Sequence, residues 1–330
     1  MKAMVLEKLC NLMENHAPLA LRERAVPVPG DKEILLKISS CGVCHTELDE
    51  IEGRTPPTRL PIIPGHQVVG RVEAVGGKVS AVKLGDRVGV AWIFSACGAC
   101  RFCLAGNENL CSAFEATGRD ADGGYAEYMT VAENFAYPVP EALSDVQAAP
   151  LLCAGAIGYR SLRLAKLQDG QRLGLTGFGA SAHLVLKMLK HQYPNTEVYV
   201  FARSAAERAF AEELGAVWSG DTSEHPPHKL DSIIDTTPAW EPVIAALANL
   251  ESGGRLVINA IRKEGDKHCL LDLDYPRHLW QEKEIKSVAN ITRTDVKDFL
   301  QMAEAMNLQP EIQVFTLEQA NEALVELKTG

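Results

Sequence analysis

Short apolar runs separated by turn residues fill the first 150 or so positions of the chain. Four of these runs predict strands, at 33–39, 67–75, 86–91 and 126–131. In each run, β-branched and other apolar residues continue up to Gly, Pro or charged residues. Prolines at 56, 57, 61 and 64 and paired glycines at 76–77 and 123–124 mark the turns between them. The pattern predicts an irregular all-β unit.

From about residue 151, short apolar runs alternate with longer stretches that have helical spacing. Strands are predicted at 172–176, 197–201, 232–235 and 255–259, and helices at 181–192, 205–214 and 243–250. This alternation is typical of βαβ units and predicts a doubly wound parallel sheet. A helix at 295–306 and a shorter one from Leu317 form a tail that we expect to pack on the first domain.

Length and charge narrow the classes of function. A chain of 330 residues exceeds the size of most single cores, so two domains are expected. Lys and Arg total 33 against 43 for Asp and Glu, which gives a net charge of −10. A nucleic-acid partner is not expected, because it requires a basic face. A membrane is not expected either, because no run reaches the ~18 apolar residues of a membrane span.

The cellular compartment is predicted from the N-terminus and the cysteines. Residues 1–8 carry no apolar signal segment, and the cysteines are nine in number, an odd count clustered at metal spacing. Disulfide frameworks are rare in reducing compartments. We therefore expect a cytoplasmic protein.

Four cysteines, Cys97, Cys100, Cys103 and Cys111, follow the pattern C-x2-C-x2-C-x7-C. Four thiolates form a closed tetrahedral zinc site, which holds a loop together and leaves no position open for a substrate. The spacing predicts such a structural site. An iron–sulfur cluster and four unligated thiols remain as alternatives.

A turn of small residues follows the predicted strand 172–176. Gly177, Gly179 and Ala182 form the pattern G-x-G-x-x-A at the start of a predicted helix. This context is the one in which backbone N–H groups and the helix dipole bind a dinucleotide pyrophosphate. A tight strand-to-helix turn without a ligand is the alternative.

The end of the next predicted strand favours NADP over NAD. Ala202 stands where an NAD-binding fold usually has an acidic residue for the ribose 2′-hydroxyl. Arg203 and Ser204, which follow it, can pair with a 2′-phosphate through charge-assisted hydrogen bonds. If Arg203 is only a solvated surface residue, the site is indifferent to the phosphate.

Further soft or imidazole ligands lie in separate segments of the chain. Cys41 and Cys44 form a C-x2-C pair that a redox dithiol also has, His66 follows Pro64 and Gly65, and Cys153 alone predicts only a small core residue. None of these segments by itself identifies a metal site.

Taken together, the motifs resemble those of the zinc-dependent alcohol dehydrogenases of the medium-chain dehydrogenase/reductase superfamily. They are G-V-C-H-T at 42–46, G-H-x-x-x-G at 65–70, the four-cysteine lobe, P-L-L-C-A-G at 150–155 and the dinucleotide turn. The resemblance implies a GroES-like catalytic domain at 1–152 and 289–330, with the zinc lobe at about 92–114. A Rossmann domain would occupy 153–288.

By this resemblance, Cys44, His66 and Cys153 hold a catalytic zinc with an open fourth position, so that each chain binds two zinc ions. Cys41 is not a ligand in this interpretation. The resemblance also implies that Thr46 hydrogen-bonds the substrate oxygen and begins a proton relay.

The resemblance further implies roles at the cofactor and in the substrate pocket. His45 belongs to the cofactor-binding residues, and Arg293 matches an arginine that binds a cofactor phosphate in many relatives. Trp92 lies at a position that lines the substrate pocket and favours small or primary alcohols. A surface arginine and a core tryptophan are the respective alternatives.

Three residues depart from the pattern of the resembled family. Glu47 replaces an Asp that is the partner of the ligating histidine, and Gln67 replaces a Glu beside His66. Asp49 stands where many members have the last histidine of the proton relay, so Asp49 or water is expected to take that proton. No predicted metal ligand is lost.

The predicted function is a zinc-dependent alcohol dehydrogenase or aldehyde reductase that transfers hydride between a primary alcohol or aldehyde and NADP(H) or NAD(H). A polyol or aryl (cinnamyl-type) alcohol dehydrogenase is the alternative within the superfamily. A zinc-stabilised nucleotide-binding protein without turnover is the alternative from another class. The resemblance implies a homodimer or homotetramer.

Overall fold

The chain divides into two compact units in a computed structural model that describes residues 1–263 and 265–329. The first unit comprises Met1–Cys153 and Ile291–Gly330, and the second comprises Ala154–Asn290. The boundaries lie one and two residues from the predicted ones, 1–152 and 289–330. As a result, Cys153 belongs to the first unit, together with the other predicted metal ligands.

The first unit is built mainly of antiparallel strands. These are β1 (Lys2–Leu6), β2 (Leu19–Glu23), β3 (Glu33–Cys41), β4 (Val68–Val75), β5 (Arg87–Val90), β6 (Ile93–Ser95), β7 (Glu115–Ala116), β8 (Tyr128–Ala132) and β9 (Ala136–Pro138). In the described residues, one sheet has the strand order β8-β3-β4-β5-β9, and β1 pairs with β2 and β6 with β7. This agrees with the predicted irregular GroES-like domain.

Buried β-branched and aliphatic residues explain why these segments form strands. Ile34 and Leu36 of β3 pack with Val68, Val72 and Val90 in one apolar cluster, and each is at most 3% exposed. Such residues fit a pleated, half-buried surface well. The predicted strands 33–39 and 67–75 therefore match β3 and β4 to within one or two residues at each end.

Three short helices interrupt the strands of the first unit. They are α1 (His45–Ile51), α2 (Arg101–Leu104) and α3 (Asp145–Pro150). The sequence pattern did not predict α1, because its buried positions include the acids Glu47, Asp49 and Glu50 beside Leu48 and Ile51. An apolar stripe at helical spacing is therefore missing from it.

The second unit is a doubly wound α/β fold, as predicted. Its elements are α4 (Ala156–Ala165), β10 (Arg172–Thr176), α5 (Ala180–Gln192), β11 (Glu197–Phe201), α6 (Ala205–Glu213), β12 (Trp218–Gly220), β13 (Leu230–Asp235), α7 (Glu241–Asn249), β14 (Leu250–Ile258), α8 (Tyr275–His278) and β15 (Glu284–Ser287). The strands run parallel in the order β12-β11-β10-β13-β14-β15. The strand order reverses between β10 and β13, and in such sheets ligands bind beyond the carboxyl ends of the strands at this point.

The tail returns to the first unit, as expected. It contains α9 (Arg293–Ala305) and α10 (Ala320–Thr329), and a short 3-10 helix, Leu317–Gln319, precedes α10. Val296, Phe299 and Leu300 are the buried face of α9. In the described part of the chain, every helix is too short or too polar to cross a bilayer.

Candidate metal centres and nucleotide-binding turn

The four cysteines of the lobe converge as the spacing predicts. The sulfur atoms of Cys97, Cys100, Cys103 and Cys111 all lie within 4.8 Å of one another. Cys103 Sγ is 3.8 Å from Cys97 Sγ and 3.6 Å from Cys100 Sγ. Four thiolates at about 2.3 Å from a tetrahedral zinc would be separated by about 3.8 Å. The lobe can therefore hold a zinc ion without rearrangement.

Backbone N–H groups in the lobe favour the thiolate forms of Cys97 and Cys100, whereas burial raises the pKa of the Cys103 thiol. The N–H of Cys100 donates to Cys97 Sγ at 3.3 Å, and the N–H of Cys103 donates to Cys100 Sγ at 3.5 Å. Hydrogen bonds from Ala99 N–H and Cys100 N–H lower the pKa of Cys97 to about 6, and the Cys103 N–H lowers the pKa of Cys100. Since thiolates are the ligands of zinc, these bonds prepare the site for the metal.

A second cluster joins Cys44, His66 and Cys153. Their ligand atoms lie within 4.8 Å of one another, and Cys44 Sγ is 3.7 Å from His66 Nε2. A sulfur and a nitrogen bound to one tetrahedral zinc would be about 3.6 Å apart. The three ligands thus fit one zinc ion, with one position left for a further ligand.

The pairing of two strands brings Cys44 and His66 together. Cys41 at the end of β3 pairs with Val68 at the start of β4, and the N–H of Gly42 donates to the carbonyl of Gln67 at 2.9 Å. Cys44 follows this pair by three residues and His66 precedes it by two. The strand register therefore sets the separation of these two ligands.

Gly65 forms the tight turn that places His66. Its φ of +101° is a conformation that residues with a Cβ rarely adopt. A Cβ at this position would lie 2.6 Å from Cδ1 of Tyr125 and 2.9 Å from Cys41 Sγ. Only glycine fits the turn without moving these neighbours.

The start of α1 fixes the side chain of Cys44. Cys44 is the N-cap residue, and its sulfur accepts a hydrogen bond from Thr46 N–H at 3.3 Å. Its own N–H donates to Glu47 Oε2 at 2.9 Å, which completes a capping box. The N–H donor stabilises a thiolate, but the hydrogen bond with Cys153, burial and the charge of Glu47 raise the pKa of the Cys44 thiol well above its usual range.

Glu47 orients His66, the role that the sequence prediction gave it. Its Oε1 lies 2.5 Å from His66 Nδ1, and both side chains are at most 1% exposed. Burial opposes ionisation of Glu47, but His66 outweighs burial and lowers the pKa of the carboxyl. A proton on Nδ1 leaves the lone pair of Nε2 directed at the metal position.

Cys153 lies in a π-helical turn, Leu151–Gly155, directly after α3. Helix α3 starts at a Ser144–Gln147 capping box, and Asp145 in its first turn accepts a hydrogen bond from Arg87 Nε at 2.5 Å. This ion pair ties α3 to β5 and so fixes the turn that carries the third ligand. π-turns of this kind are frequent at functional sites.

Cys41 is close to the cluster but does not belong to it. Its sulfur is not among the grouped ligand atoms, and the side chain lines a separate cavity of about 630 Å³ with Ile38, Tyr125 and Val314. Burial is the main cause that raises the pKa of the Cys41 thiol. That Cys41 is not a ligand stays a prediction.

Asp49, which the sequence predicted as one of two acceptors of the relayed proton, forms an ion pair with Arg54. Its Oδ1 accepts a hydrogen bond from Arg54 Nε at 2.6 Å, and the side chain is 2% exposed. Thr46 is half-buried at the start of α1, whereas His45 beside it is exposed. The same helix therefore carries Thr46, Glu47 and Asp49, but Asp49 is held by a cation.

Glu50 is a buried acid that the sequence analysis did not single out. It is 1% exposed, and neither carboxyl oxygen has a hydrogen-bond partner in the described residues. Burial, and then the charge of Glu47, raise the pKa of Glu50 well above its usual range. The signal available in the sequence was its spacing, three residues after Glu47 and therefore on the same side of α1.

Trp92 is buried in an aromatic group. Its ring centroid lies 5.3 Å from that of Phe114, and the guanidinium of Arg119 lies 5.2 Å from the ring. Arg119 also pairs with Asp120 at 2.6 Å. The group lies in the first unit beside the four-cysteine lobe, and the predicted contact of Trp92 with substrate stays a prediction.

The dinucleotide motif forms the turn between β10 and α5. Gly177 has a φ of +78°, and a Cβ there would lie 2.8 Å from Oγ1 of Thr236. Gly179 is the N-cap of α5, without a side-chain cap, and Ala182 is fully buried. The first N–H groups of α5 thus lie beyond the carboxyl end of β10, where they can bind an anionic group.

The segment after β11 carries one arginine, Arg203, and no carboxylate between residues 202 and 206, and a second arginine, Arg208, follows Glu207. Arg203 is exposed, and the Oγ of Ser204 accepts from Glu207 N–H at 3.4 Å as the N-cap of α6. Arg208, which the sequence analysis missed, donates from Nη1 to the carbonyls of Ala202 at 2.7 Å and Arg203 at 2.9 Å. Its place one helical turn after Ser204 was the available signal.

Arg293, the predicted phosphate ligand, is the first residue of α9 and pairs with the lobe. Its backbone N–H and its Nε donate to Glu108 Oε1 at 2.6 and 3.0 Å. Glu108 lies between Cys103 and Cys111, and its side chain is 2% exposed.

Comparison with known proteins agrees with this geometry. Residues 30–141 match the alcohol dehydrogenase GroES-like domain. A Mycobacterium tuberculosis protein named "Probable alcohol dehydrogenase AdhA" is 42% identical over 318 residues, which are 95% of this chain and 90% of that protein. The chain belongs to the alcohol dehydrogenases of the medium-chain dehydrogenase/reductase superfamily. This oxidoreductase therefore has the predicted class of function.

Solved structures extend the likeness of this alcohol dehydrogenase family member over the whole chain. A cinnamyl alcohol dehydrogenase of Sorghum bicolor is 26% identical with a TM-score of 0.81, and it covers 99% of this chain and 94% of its own. A structure described as a putative zinc-binding dehydrogenase from Sinorhizobium meliloti, bound to NADP, is 25% identical with a TM-score of 0.83. The match covers 98% of this chain and 95% of the Sinorhizobium meliloti chain. The predicted pair of domains, GroES-like and Rossmann, is thereby confirmed.

Proposed function

We propose that the protein is a zinc-dependent, NADP-preferring dehydrogenase of primary alcohols that also reduces the corresponding aldehydes. One observation carries this proposal. Cys44, His66 and Cys153 come from separate segments, yet their ligand atoms lie within 4.8 Å of one another. Glu47 holds the other nitrogen of His66, as metal-bound histidines require.

The bound groups would supply Lewis-acid polarisation of the substrate oxygen and a hydride donor or acceptor. The residues of the chain bind and orient these groups. Glu47 keeps the proton of His66 on Nδ1, and the N–H of Thr46 donates to the sulfur of Cys44 and so orients it. The Gly177 turn and the first N–H groups of α5 bind the pyrophosphate of the dinucleotide.

Thr46 is proposed to hold the proton that the alcohol releases. It is half-buried at the start of α1, one residue from the exposed His45 and two from Cys44. The ion pair of Asp49 with Arg54 supports water over Asp49 as the next proton acceptor. Replacing Asp49 with Asn should then leave kcat within about twofold, whereas Thr46→Val should abolish most turnover, as general acid–base steps contribute roughly 100-fold or more.

Zinc content and turnover test the central assignment. The wild-type chain should bind two zinc ions, and Cys153→Ser should bind one and lose turnover of a primary alcohol. Cys41→Ser is the matched control, because Cys41 lies in the same segment as Cys44 but outside the ligand group. Two zinc ions in Cys153→Ser, or loss of zinc in Cys41→Ser, would contradict the assignment.

The charges at the end of β11 support NADP over NAD. Arg203 is exposed and next to Ser204 in the chain, and the guanidinium of Arg208 bonds the carbonyls of Ala202 and Arg203, which supports pairing with a 2′-phosphate there. The ratio of kcat/KM for NADPH to that for NADH measures this preference directly. A tenfold preference for NADH would refute it.

A substrate panel separates the alternatives within the superfamily. Polyols, aryl alcohols and short primary alcohols should be compared, since the Sorghum bicolor structure is a cinnamyl alcohol dehydrogenase. Trp92→Ala should shift turnover towards bulkier alcohols if the ring lines the pocket. Cofactor binding without any turnover would instead favour a zinc-stabilised nucleotide-binding protein.

We also propose that the chain forms a homodimer or homotetramer through β15. All residues of this edge strand are exposed, and Ile285 on it and Trp280 before it are 47% and 57% exposed. Exposed edge strands pair with other chains unless they are protected. Light scattering of Ile285→Lys should show a smaller species than that of the wild type.

Free thiols support a reducing compartment, and we propose the cytoplasm. All nine cysteines are unpaired, and six of them belong to the two ligand groups. Fractionation of the source cells would test this location.

A further inference from the structure

A buried lysine of the second unit, Lys263, binds the loop that follows β13. Its three shortest hydrogen bonds go from Nζ to Oδ2 of Asp235, to the carbonyl of Thr237 at 2.8 Å and to the carbonyl of Ala239 at 2.7 Å. The side chain of Lys263 is 7% exposed, and that of Asp235 is fully buried. Because an ammonium group has three N–H donors, this one loop occupies all of them.

The same loop packs against the dinucleotide turn. The N–H and the hydroxyl of Thr236 both donate to the carbonyl of Thr176, the last residue of β10, at 2.9 and 3.0 Å. Gly177 follows Thr176, and a Cβ on it would lie 2.8 Å from Thr236 Oγ1 and 3.1 Å from Thr237 Cγ2. The arrangement of residues 236–239 therefore determines how much space surrounds the turn.

Asp235 connects this loop to the neighbouring strand. It is the last residue of β13, and its Oδ1 accepts a hydrogen bond from Thr237 Oγ1 at 2.7 Å. Its carbonyl accepts from the N–H of Asn259, the residue after β14, at 2.7 Å. The strand order reverses between β10 and β13, and doubly wound sheets bind their ligands beyond this point. The contacts of Asp235 and Lys263 thus join the chain segments that surround such a position.

Lys263 is not itself arranged to bind an anion. Its donors are occupied, and the ammonium lies among buried oxygen atoms of the loop. Burial raises the pKa of the Asp235 carboxyl, and the charge of Lys263 is the strongest influence in the opposite direction. Each member of the pair therefore compensates the buried charge of the other. Any effect of Lys263 on a ligand at the turn passes through the loop.

We propose that Lys263 and Asp235 are positioning residues that hold residues 236–239 against the Gly177 turn and so set the affinity of this unit for the dinucleotide. The inference rests on the proposed function for the identity of the ligand. It adds a determinant of affinity that lies outside the glycine motif. A site that is already ordered before binding loses less conformational entropy when the ligand arrives.

Equilibrium binding of NADPH to the zinc-loaded full chain, followed by nucleotide fluorescence, tests the proposal. Lys263→Met should raise the dissociation constant roughly tenfold, as expected when the loop keeps its native arrangement about a tenth of the time. The affinity for NADH should fall by the same factor, because the pair follows β13 and not β11. The KM for NADPH should rise while kcat at saturating NADPH stays within about twofold, since the candidate metal centres lie in the other unit.

The double variant Lys263→Met, Asp235→Asn separates positioning from stability. Lys263→Met alone leaves the charge of Asp235 buried and uncompensated, so its melting temperature should be the lower of the two. Asparagine removes this charge and keeps an acceptor for Thr237. The double variant should still bind NADPH as weakly as Lys263→Met, because the carbonyls of Thr237 and Ala239 lack the ammonium in both. Recovery of NADPH affinity together with the melting temperature would show a purely structural pair and overturn the proposal.

Wild-type NADPH affinity in Lys263→Met would also overturn the proposal. If that variant does not fold, wild-type affinity in the double variant has the same consequence. Lys229→Met is the matched control, because Lys229 precedes the same strand at its opposite end and donates from Nζ to the carbonyl of Ala248 at 2.5 Å. Its replacement should leave the NADPH affinity unchanged, and a tenfold loss there would contradict a specific role for Lys263. If the wild-type protein binds neither NADPH nor NADH, the proposed function itself fails.

Discussion

Replacing Glu47 with Gln is the sharpest test of how His66, the proposed zinc ligand, is held. The carboxylate accepts two hydrogen bonds, from His66 Nδ1 at 2.5 Å and from Cys44 N–H at 2.9 Å. Glutamine has the same shape but only one acceptor group. In either orientation of the amide, one of these two buried partners faces an NH2 group instead of an oxygen.

The cost follows from which partner loses its acceptor. If the amide nitrogen faces Cys44, a charge-assisted hydrogen bond is lost and a buried N–H is left unpaired, which costs about 1.5–3 kcal/mol. If it faces His66, the proton of the ring moves to Nε2, and this nitrogen can no longer bind the metal. Zinc affinity should therefore fall at least tenfold, in the range of roughly 10–100-fold typical for such partners.

Competition with a chelator measures the affinity, and the four-cysteine lobe supplies an internal reference in the same chain. Glu47→Asp keeps two acceptor oxygens on a shorter side chain, so it should lie between the wild type and Glu47→Gln. Glu52→Gln is a second control, because Glu52 is a buried acid that contacts Lys328 and not a ligand. Catalytic-site affinity within twofold of the wild type in Glu47→Gln would refute the reasoning.

Three further predictions concern other parts of the two units. Replacing both Arg203 and Arg208 with Ala should raise the KM for NADPH about tenfold or more and leave that for NADH unchanged; an equal rise for both cofactors would contradict a 2′-phosphate site. Gly65→Ala should destabilise the fold by about 2 kcal/mol or more and lower zinc occupancy, because its Cβ would lie 2.6 Å from Tyr125. Burial raises the pKa of Glu50 in the folded protein. The free energy of unfolding therefore falls as the pH rises from about 4.3, the pKa of a glutamate in the unfolded chain, towards the pKa in the folded protein. Glu50→Gln should therefore melt higher than the wild type at pH 8, with the gap closing near pH 4, and a lower melting temperature at pH 8 would show that the charge is used.

The parts of the fold that depend on local pattern were predictable. Strands β10 and β11 have the predicted bounds, because fully buried parallel strands appear as continuous apolar runs. The edge strand β15 was missed for the opposite reason, since its residues are all exposed. Strand β12 has only three residues and gives too short a signal.

The two candidate metal centres also differ in how far the sequence alone could predict them. The ligands of the lobe lie within fifteen residues, so their spacing alone predicted the site. The ligands Cys44, His66 and Cys153 span more than a hundred residues, and only the resemblance to a known family grouped them. No pattern in one sequence indicates that Glu108 would contact Arg293, because their distance in space is set by the tertiary fold.

The register of β3 against β4 connects the fold to the chemistry. Cys41 pairs with Val68, and this pair places Cys44 and His66 with their ligand atoms 3.7 Å apart. A slip of one residue would shift His66 by about 3.3 Å along the strand and turn its side chain to the other face. Zinc tolerates errors of only about 0.2 Å in its bond lengths, so the metal binds the native register and not the slipped one. Metal binding and correct strand pairing therefore stabilise each other, although no strand residue of the sheet is itself a ligand.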